Sequence, residues 1–457
     1  MMTALTTYSY FSYELALSII DIVASAIFFF MFGVSWYYVG YIFLARKKIV
    51  DPIDNDKKTH FGVLIAARNE SNVIKHILNA LKHQNYDKAY YDVWVIIEDE
   101  SDSTFKIVKK YGDRFHVYIR KKPLGNRLTK GFALQECINY FYENNINYDA
   151  YMIFDADNVM EVDFLKKMNN LRQTGVQVGV GYRNFTNANQ NWITCCSATL
   201  FSYMNQITSK GRTELFKKAT LTGTGYFIDA DIIKEAGGWL FTGMTEDVQL
   251  TTYCYYHNIN MRYYPHAVYY DEQASNFKTV HRQHVRWVWG YFASRKFLKK
   301  KEPYYNATDR KTWKASIFEW NVSIYPTVVY VIGNLLLAII SLIMTIFSIF
   351  EDPNYTSTFF WHFGYQILLL YVSFMVVALL VIISDNKNLK FNFATIIWTL
   401  LTYCLFFFDF LLAFLDGLFF KKKRTVWKTI SHDGTILDDR ARLIEQYEES
   451  ETRLEEK

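Results

Sequence analysis

Hydrophobic and polar positions divide the chain into stretches of different period. Residues 15–45, "LALSIIDIVASAIFFFMFGVSWYYVGYIFLA", are apolar nearly throughout, with Asp21 the one charged position. A helix crosses a bilayer with about 20 such residues, so a membrane anchor is predicted. No basic n-region or small-residue cleavage site marks it as a signal peptide. Arg46, Lys47 and Lys48 follow at once, which predicts a cytoplasmic location for what comes next.

From Phe61 short apolar runs alternate with amphipathic ones. "FGVLIAA" (61–67), "YDVWVIIEDE" (91–100), "FHVYI" (115–119) and "AYMIFDADN" (150–158) have the length of buried strands. "SNVIKHILNALKHQ" (71–84) places Val73, Ile77 and Leu81 on one helical face, with Ser71 positioned to cap it. This alternation predicts an α/β fold with a mostly parallel sheet covered on both faces. Ligands of such sheets sit beyond the carboxyl ends of the strands, and two acidic clusters fall there. The chain turns apolar again over 325–349 and 357–384, two expected spans around the loop "EDPNYTST". A third span at 391–420 would place "KKKR" (421–424) outside, against the charge rule, and it holds Asp409 and Asp416. That run is therefore expected to lie along, or dip into, the inner interface. The tail 433–457 is densely charged and reads as a solvated helix.

Composition agrees with a soluble domain joined to membrane segments: 51% of the 457 residues are hydrophobic and 21% charged. A net charge of +5 is too small for a dedicated nucleic-acid binder. Cys137, Cys195, Cys196, Cys254 and Cys404 form no C-x-x-C pair and read as buried, reduced thiols of a cytosolic compartment.

Six stretches carry candidate chemistry. Asp99 in "EDES" (98–101) could accept hydrogen bonds from a base or ribose, although strand-end turns favour Asp and Ser anyway. Asp155 and Asp157, two apart at a strand end, can aim at one Mg²⁺ or Mn²⁺ whose shell a diphosphate completes. In "GMTEDVQL" (243–250) Thr245 could cap a helix, and Glu246 or Asp247 could take a proton from a sugar hydroxyl or merely answer the helix dipole. "LGNRLTKGFAL" (124–134) offers Arg127 and Lys130 to phosphate or a base without Walker spacing. "TGTGYF" (222–227) marks a close approach or a bulge. Last, "HRQHVRWVWG" (281–290) contains Gln283-x-x-Arg286-Trp287. Its arginine suits a departing diphosphate and its tryptophan a sugar ring, yet both types are also enriched beside membranes. His281 and His284 lack the companions of a zinc site.

Taken in order, these motifs resemble the processive family 2 glycosyltransferases, which include cellulose, mixed-linkage glucan, chitin, hyaluronan and poly-N-acetylglucosamine synthases. The resemblance covers roughly 60–290 by motif and the whole chain by layout. Q-x-x-R-W is its most specific part, since single-transfer relatives generally lack it. It implies a GT-A-type α/β domain between membrane and interface helices: an anchor (1–48), the glycosyltransferase domain (49–275), interface helices (276–320), membrane helices with an interface segment (321–420) and a lid with a charged tail (421–457). It implies that Asp99, Ala67 and Lys130 meet the nucleotide, that Asp157 with Asp155 holds the metal, and that Asp247 is the base within Thr245-Glu246-Asp247. Gln283 and Arg286 would bind the diphosphate, and Trp287, Gly223, Thr224 and Gly225 the acceptor. Trp427 and Thr429 in "VWKT" (426–429) would close over the nucleotide.

The implied activity is processive, inverting polymerisation of a UDP-sugar at the inner face of the plasma membrane by a multi-pass protein, with Mg²⁺ or Mn²⁺. UDP-glucose and a secreted β-glucan, mixed-linkage (1,3;1,4) or cellulose-like, are favoured because T-E-D replaces the G-D-D-R usual in hyaluronan synthases. Poly-N-acetylglucosamine synthesis, single transfer to a lipid carrier, and a non-enzymatic nucleotide-binding channel or scaffold are the alternatives. Expected partners are UDP-sugar, the growing polysaccharide and the bilayer, not nucleic acid; homo-oligomerisation is left open. Two departures stand out: "EDES" where relatives often have D-D-G-S, and no arginine pattern for cyclic-di-GMP in the tail.

Overall fold

The computed structural model describes residues 49–122, 124–298, 310–321 and 353–420, with isolated helical positions between 15 and 41 and between 333 and 343. Trp427, Thr429 and the charged tail lie outside the described residues, as do most of the first anchor and of the 325–349 run.

The chain forms β1 (Phe61–Ala66), α1 (Ile74–Lys82), β2 (Tyr91–Ile97), α2 (Ser103–Val108), β3 (Phe115–Ile119), α3 (Lys130–Glu143), β4 (Ala150–Asp155), β5 (Val159–Met160), α4 (Phe164–Gln173) and β6 (Val178–Phe185). It continues through α5 (Trp192–Ser202), a π-helical stretch (Tyr203–Ser209), α6 (Lys210–Phe216), β7 (Tyr226–Asp229), α7 (Ala230–Glu235), α8 (Glu246–Tyr256), β8 (Met261–Asp271) and α9 (Phe277–Leu298). Helix α10 spans 310–321. Beyond it come α11 (Pro353–Ser384), α12 (Asn386–Leu389) and α13 (Phe393–Phe419).

All eight strands join one sheet in the order β3-β2-β1-β4-β7-β6-β8-β5. β1 runs parallel to β2 and β4, β2 to β3, and β6 to β8; β7 runs against both β4 and β6. The mostly parallel sheet expected from the apolar runs is thus present, interrupted at β7 and at the two-residue edge strand β5, which runs against β8. Register does the work that matters for the site: Ala66 lies opposite both Ile96 and Asp155, so three strands end at one level. Because β7 enters antiparallel, the "TGTG" turn arrives at that same edge, where the Gly225 N–H donates to the Ile153 carbonyl at 2.9 Å.

Strands buried on both faces need cover on both. Ile74, Ile77, Leu78 and Leu81 of α1 pack with Phe164, Leu165 and Met168 of α4 over one face. Leu134, Ile138 and Phe141 of α3 join Leu250 and Cys254 of α8 over the other. Each such side chain removed from water contributes about 1.5–3 kcal/mol. A third apolar cluster joins the helices: Cys195, Cys196 and Phe201 of α5, Val285 and Val288 of α9, and Phe406 and Phe410 of α13. All five cysteines are free thiols.

Some local expectations are corrected. Ser71 does not cap α1, which begins at Ile74 without a side-chain cap. The Glu70 carbonyl already accepts from the N–H groups of Val73 and Ile74, leaving the serine no donor to satisfy. β4 stops at Asp155 rather than 158, because the Asn158 side chain takes the Asp155 N–H at 3.1 Å and turns the chain. The 391–420 run is one continuous helix, α13, and it and Ile367–Ser384 of α11 are long and apolar enough to cross a membrane.

Candidate active site

A cleft of about 510 Å³ opens at the carboxyl edge of the sheet. Its walls bring together Ala67, Lys130, Asp155, Asp157, Gly223, Thr245, Glu246, Asp247, Gln283, Arg286 and Trp287. Residues more than two hundred positions apart, picked out by type and spacing, therefore share one cavity.

Lys130, the first residue of α3, pairs with Asp155 and donates to the Gly223 carbonyl at 2.8 Å. The "DADN" turn is held from behind. The Asp155 N–H donates to Thr224 Oγ1 at 3.0 Å, and Asn158 Nδ2 donates to Asp271 Oδ1 at 3.0 Å. Arg183 forks onto Asp271 Oδ2 at 3.0 and 2.5 Å. The Asp157 carboxyl is pushed far above the usual carboxylate range, first by burial and then by Asp271 and Asp155. Among the described residues no trio of His, Cys, Asp or Glu makes a ready metal cage. Crowded carboxylates with few protein ligands suit a hard divalent cation that keeps waters and takes phosphate oxygens, so Asp157 and Asp155 fit Mg²⁺ or Mn²⁺.

On the opposite wall, Glu246 and Asp247 open α8. Thr245 sits at the N-cap position but makes no capping hydrogen bond. Its hydroxyl lies 3.1 Å from Ser294 Oγ on α9 instead, in the space Gly290 leaves free, where an added Cβ would come within 2.4 Å of Thr245. Burial, then Asp247, pushes the Glu246 carboxyl up to about 8. Burial raises Asp247 too, but the Val248 N–H at 2.9 Å, Lys130 and Arg286 pull it back. Glu246 therefore holds its proton at neutral pH, while the groups that face Asp247 favour its charged form. Arg286 is half-buried, faces Glu246, Asp155 and Asp247, and has no ion-pair or hydrogen-bond partner among the described residues.

Three expected residues are placed otherwise. Asp99 pairs with Lys122 in a small adjoining hollow with Asn69, Ser101 and Asp102, and Arg68 and Glu98 line both that hollow and the cleft. Thr224 and Gly225 stand behind the wall. Gly225 adopts φ +69°, and a Cβ there would lie 2.0 Å from the Tyr269 ring.

Glu70 was not anticipated from its sequence. It lines the cleft, and burial followed by Asp155 raises its carboxyl to about 7. Arg183, Asp271, Tyr291 and Trp320 also reach the cavity unforeseen. The one available signal for Glu70 was an acid just past the first strand. The far end of the cleft is apolar, walled by Leu200 and Phe201 of α5, Phe374 and Val377 of α11, and Phe407 and Phe410 of α13.

A family model described as glycosyltransferase like family 2 matches residues 59–290. A probable glycosyltransferase of Bacillus subtilis, YdaM, is 30% identical over 245 residues, 50% of this chain and 54% of that protein. A beta-monoglucosyldiacylglycerol synthase of Trichormus variabilis is 27% identical over 292 residues, 61% of this chain and 58% of that protein. The chain spans little more than half the length of these relatives. Mannosyltransferase PcManGT from Pyrobaculum calidifontis, solved in complex with GDP-Man and Mn2+, aligns with a TM-score of 0.57 at 14% identity, over 87% of this chain and 99% of that one. That likeness is one of fold.

Proposed function

Because the chain belongs to the family 2 glycosyltransferases, we propose that it carries out a processive, inverting transfer from a UDP-sugar, UDP-glucose in the favoured reading, onto the end of a growing β-glycan. The observation that carries this is the half-buried Arg286 guanidinium, without an ion-pair or hydrogen-bond partner among the described residues, facing the acids of both motifs across one cleft. An arginine held without a partner in a cavity is a ready site for a diphosphate.

Asp247, half-buried in the cleft wall, removes the proton from the acceptor hydroxyl as the hydroxyl attacks the anomeric carbon. Glu246 beside it keeps its own proton and does not compete for that role. Arg286, with Gln283, takes up the negative charge that develops on the leaving diphosphate. Lys130 sits between the two acidic motifs, fixing Asp155 and the Gly223 carbonyl. A divalent cation held by Asp157 and Asp155 would supply electrostatic stabilisation of the same leaving group. Trp287 offers its ring to the sugar end of the acceptor.

A second reading, a single transfer to a lipid-borne hydroxyl, is favoured by the apolar far end of the cleft. The Trichormus variabilis relative is a beta-monoglucosyldiacylglycerol synthase. Asp247→Asn in the purified chain tests the base assignment: transfer should fall about 10²–10⁴-fold with UDP binding kept, and retained synthesis refutes it. Sizing the product separates polymer from glycolipid.

A further inference from the structure

Helix α13 carries two acids in an otherwise uncharged 27-residue run, and the chemistry above uses neither. Both face α9. Asp409, 1% exposed, accepts from His281 Nδ1 at 2.6 Å through one oxygen and from His284 Nδ1 at 2.7 Å through the other. The other ring nitrogen of His281 lies 3.2 Å from Asp416. His284 is fully buried, stacks on Phe410 at 4.0 Å and stands 5.3 Å from the Trp287 ring. Further along the same seam Trp289 stacks on Phe414 at 5.3 Å, and a Cβ on Gly417 would come within 1.9 Å of the Trp289 indole.

The two histidines are one helical turn apart and bracket Gln283. Arg286 and Trp287 lie two and three residues beyond His284. A carboxylate gripping both imidazoles fixes the rotation of α9 about its own axis, and each residue of a helix is set by that rotation. Burying the charge is costly unless geometry rewards it, and a purely apolar seam would hold two helices together without choosing their angle.

We propose that Asp409 is a positioning residue for transfer: through His281 and His284 it sets the angle at which α9 presents Arg286 to the diphosphate and Trp287 to the acceptor. α13 is then part of the catalytic machinery rather than only membrane cover. The inference rests on the reading of Arg286 as the diphosphate ligand.

A double-mutant cycle on UDP binding tests it, measured by calorimetry with the full chain in nanodiscs and Mn²⁺ present. Arg286→Lys keeps the charge but loses the fork, and should weaken UDP about tenfold; Asp409→Asn alone should do the same, but add less than about twofold in the Arg286→Lys background. Equal losses in both backgrounds, or native affinity in Asp409→Asn, overturn the proposal while leaving the role of Arg286 intact. If Arg286→Lys binds UDP as the native chain does, both fall. Should Asp409→Asn not fold, His281→Gln removes one arm of the grip from a more accessible position and enters the same cycle. A loss of folded protein alone lowers the number of binding sites, not the affinity of those that remain.

Discussion

Replacing Glu246 by glutamine keeps the shape of the side chain and removes its charge, and so isolates the electrostatics of the α8 terminus. The carboxyl is raised from an ordinary 4.5 to about 8, with burial the main cause and Asp247 the next. A group that holds its proton more tightly in the folded chain makes folding take up a proton. Its contribution to stability is therefore complete below about pH 4.5 and is lost as pH rises toward about 8. At about 1.4 kcal/mol per pH unit the ceiling is roughly 5 kcal/mol. Lys130 opposes the shift, and relaxation around a newly charged group reduces it further, so a loss on the order of 2 kcal/mol is expected. In a domain of this size that is about 4–8 °C. Melting curves of the native chain and Glu246→Gln, in one detergent at about pH 5 and about pH 8, should diverge by that amount, with the variant the more stable at the higher pH. Parallel curves, or a variant that loses more at high pH, would refute the assignment of the proton to Glu246. The same variant should retain at least about a tenth of native transfer, in contrast to Asp247→Asn.

Asp157→Asn should remove the dependence of nucleotide binding on Mg²⁺ or Mn²⁺, seen as equal UDP affinity with the cation and with a chelator. Gly225→Ala places a Cβ 2.0 Å from the buried Tyr269 ring at φ +69°; overpacking and a strained backbone together cost about 2–4 kcal/mol, read as a lower melting temperature and loss of soluble expression. Trp287→Ala should leave UDP affinity near native and shorten the product, whereas Trp287→Phe should keep most of its length, both read by gel filtration.

The parallel core was legible because strands buried on both faces must be apolar throughout: β3 was placed at Phe115–Ile119 to the residue, and β1 and β2 within a few positions. β6, β7 and β8 were harder. Only the last two residues of "TGTGYF" enter β7, itself four residues long, with the preceding turn committed to supporting Asp155, and a short antiparallel insert leaves little periodicity. Motif spacing brought Asp155, Asp157, Glu246, Asp247, Arg286 and Trp287 into one cavity. It could not foresee that only Glu98 reaches the cleft while Asp99 turns to Lys122, since both lie in the bend beyond β2, where the alternation of strand faces no longer applies. Glu70 escaped for the converse reason: its environment comes from Asp155 and Asp102, which only the fold brings near. Asp409 and Asp416 weighed against a spanning helix in sequence, but their partners His281 and His284 lie more than a hundred residues away on α9.

The most direct test of the central claim is incubation of the full chain in nanodiscs with labelled UDP-glucose and Mn²⁺ or Mg²⁺, with UDP release followed and the labelled product sized. Release of UDP together with high-mass material that a β-glucan-specific glycanase digests is the predicted result. UDP release with all label in a small, organic-soluble glycoside would contradict processive β-glucan synthesis and leave the lipid-acceptor reading in its place.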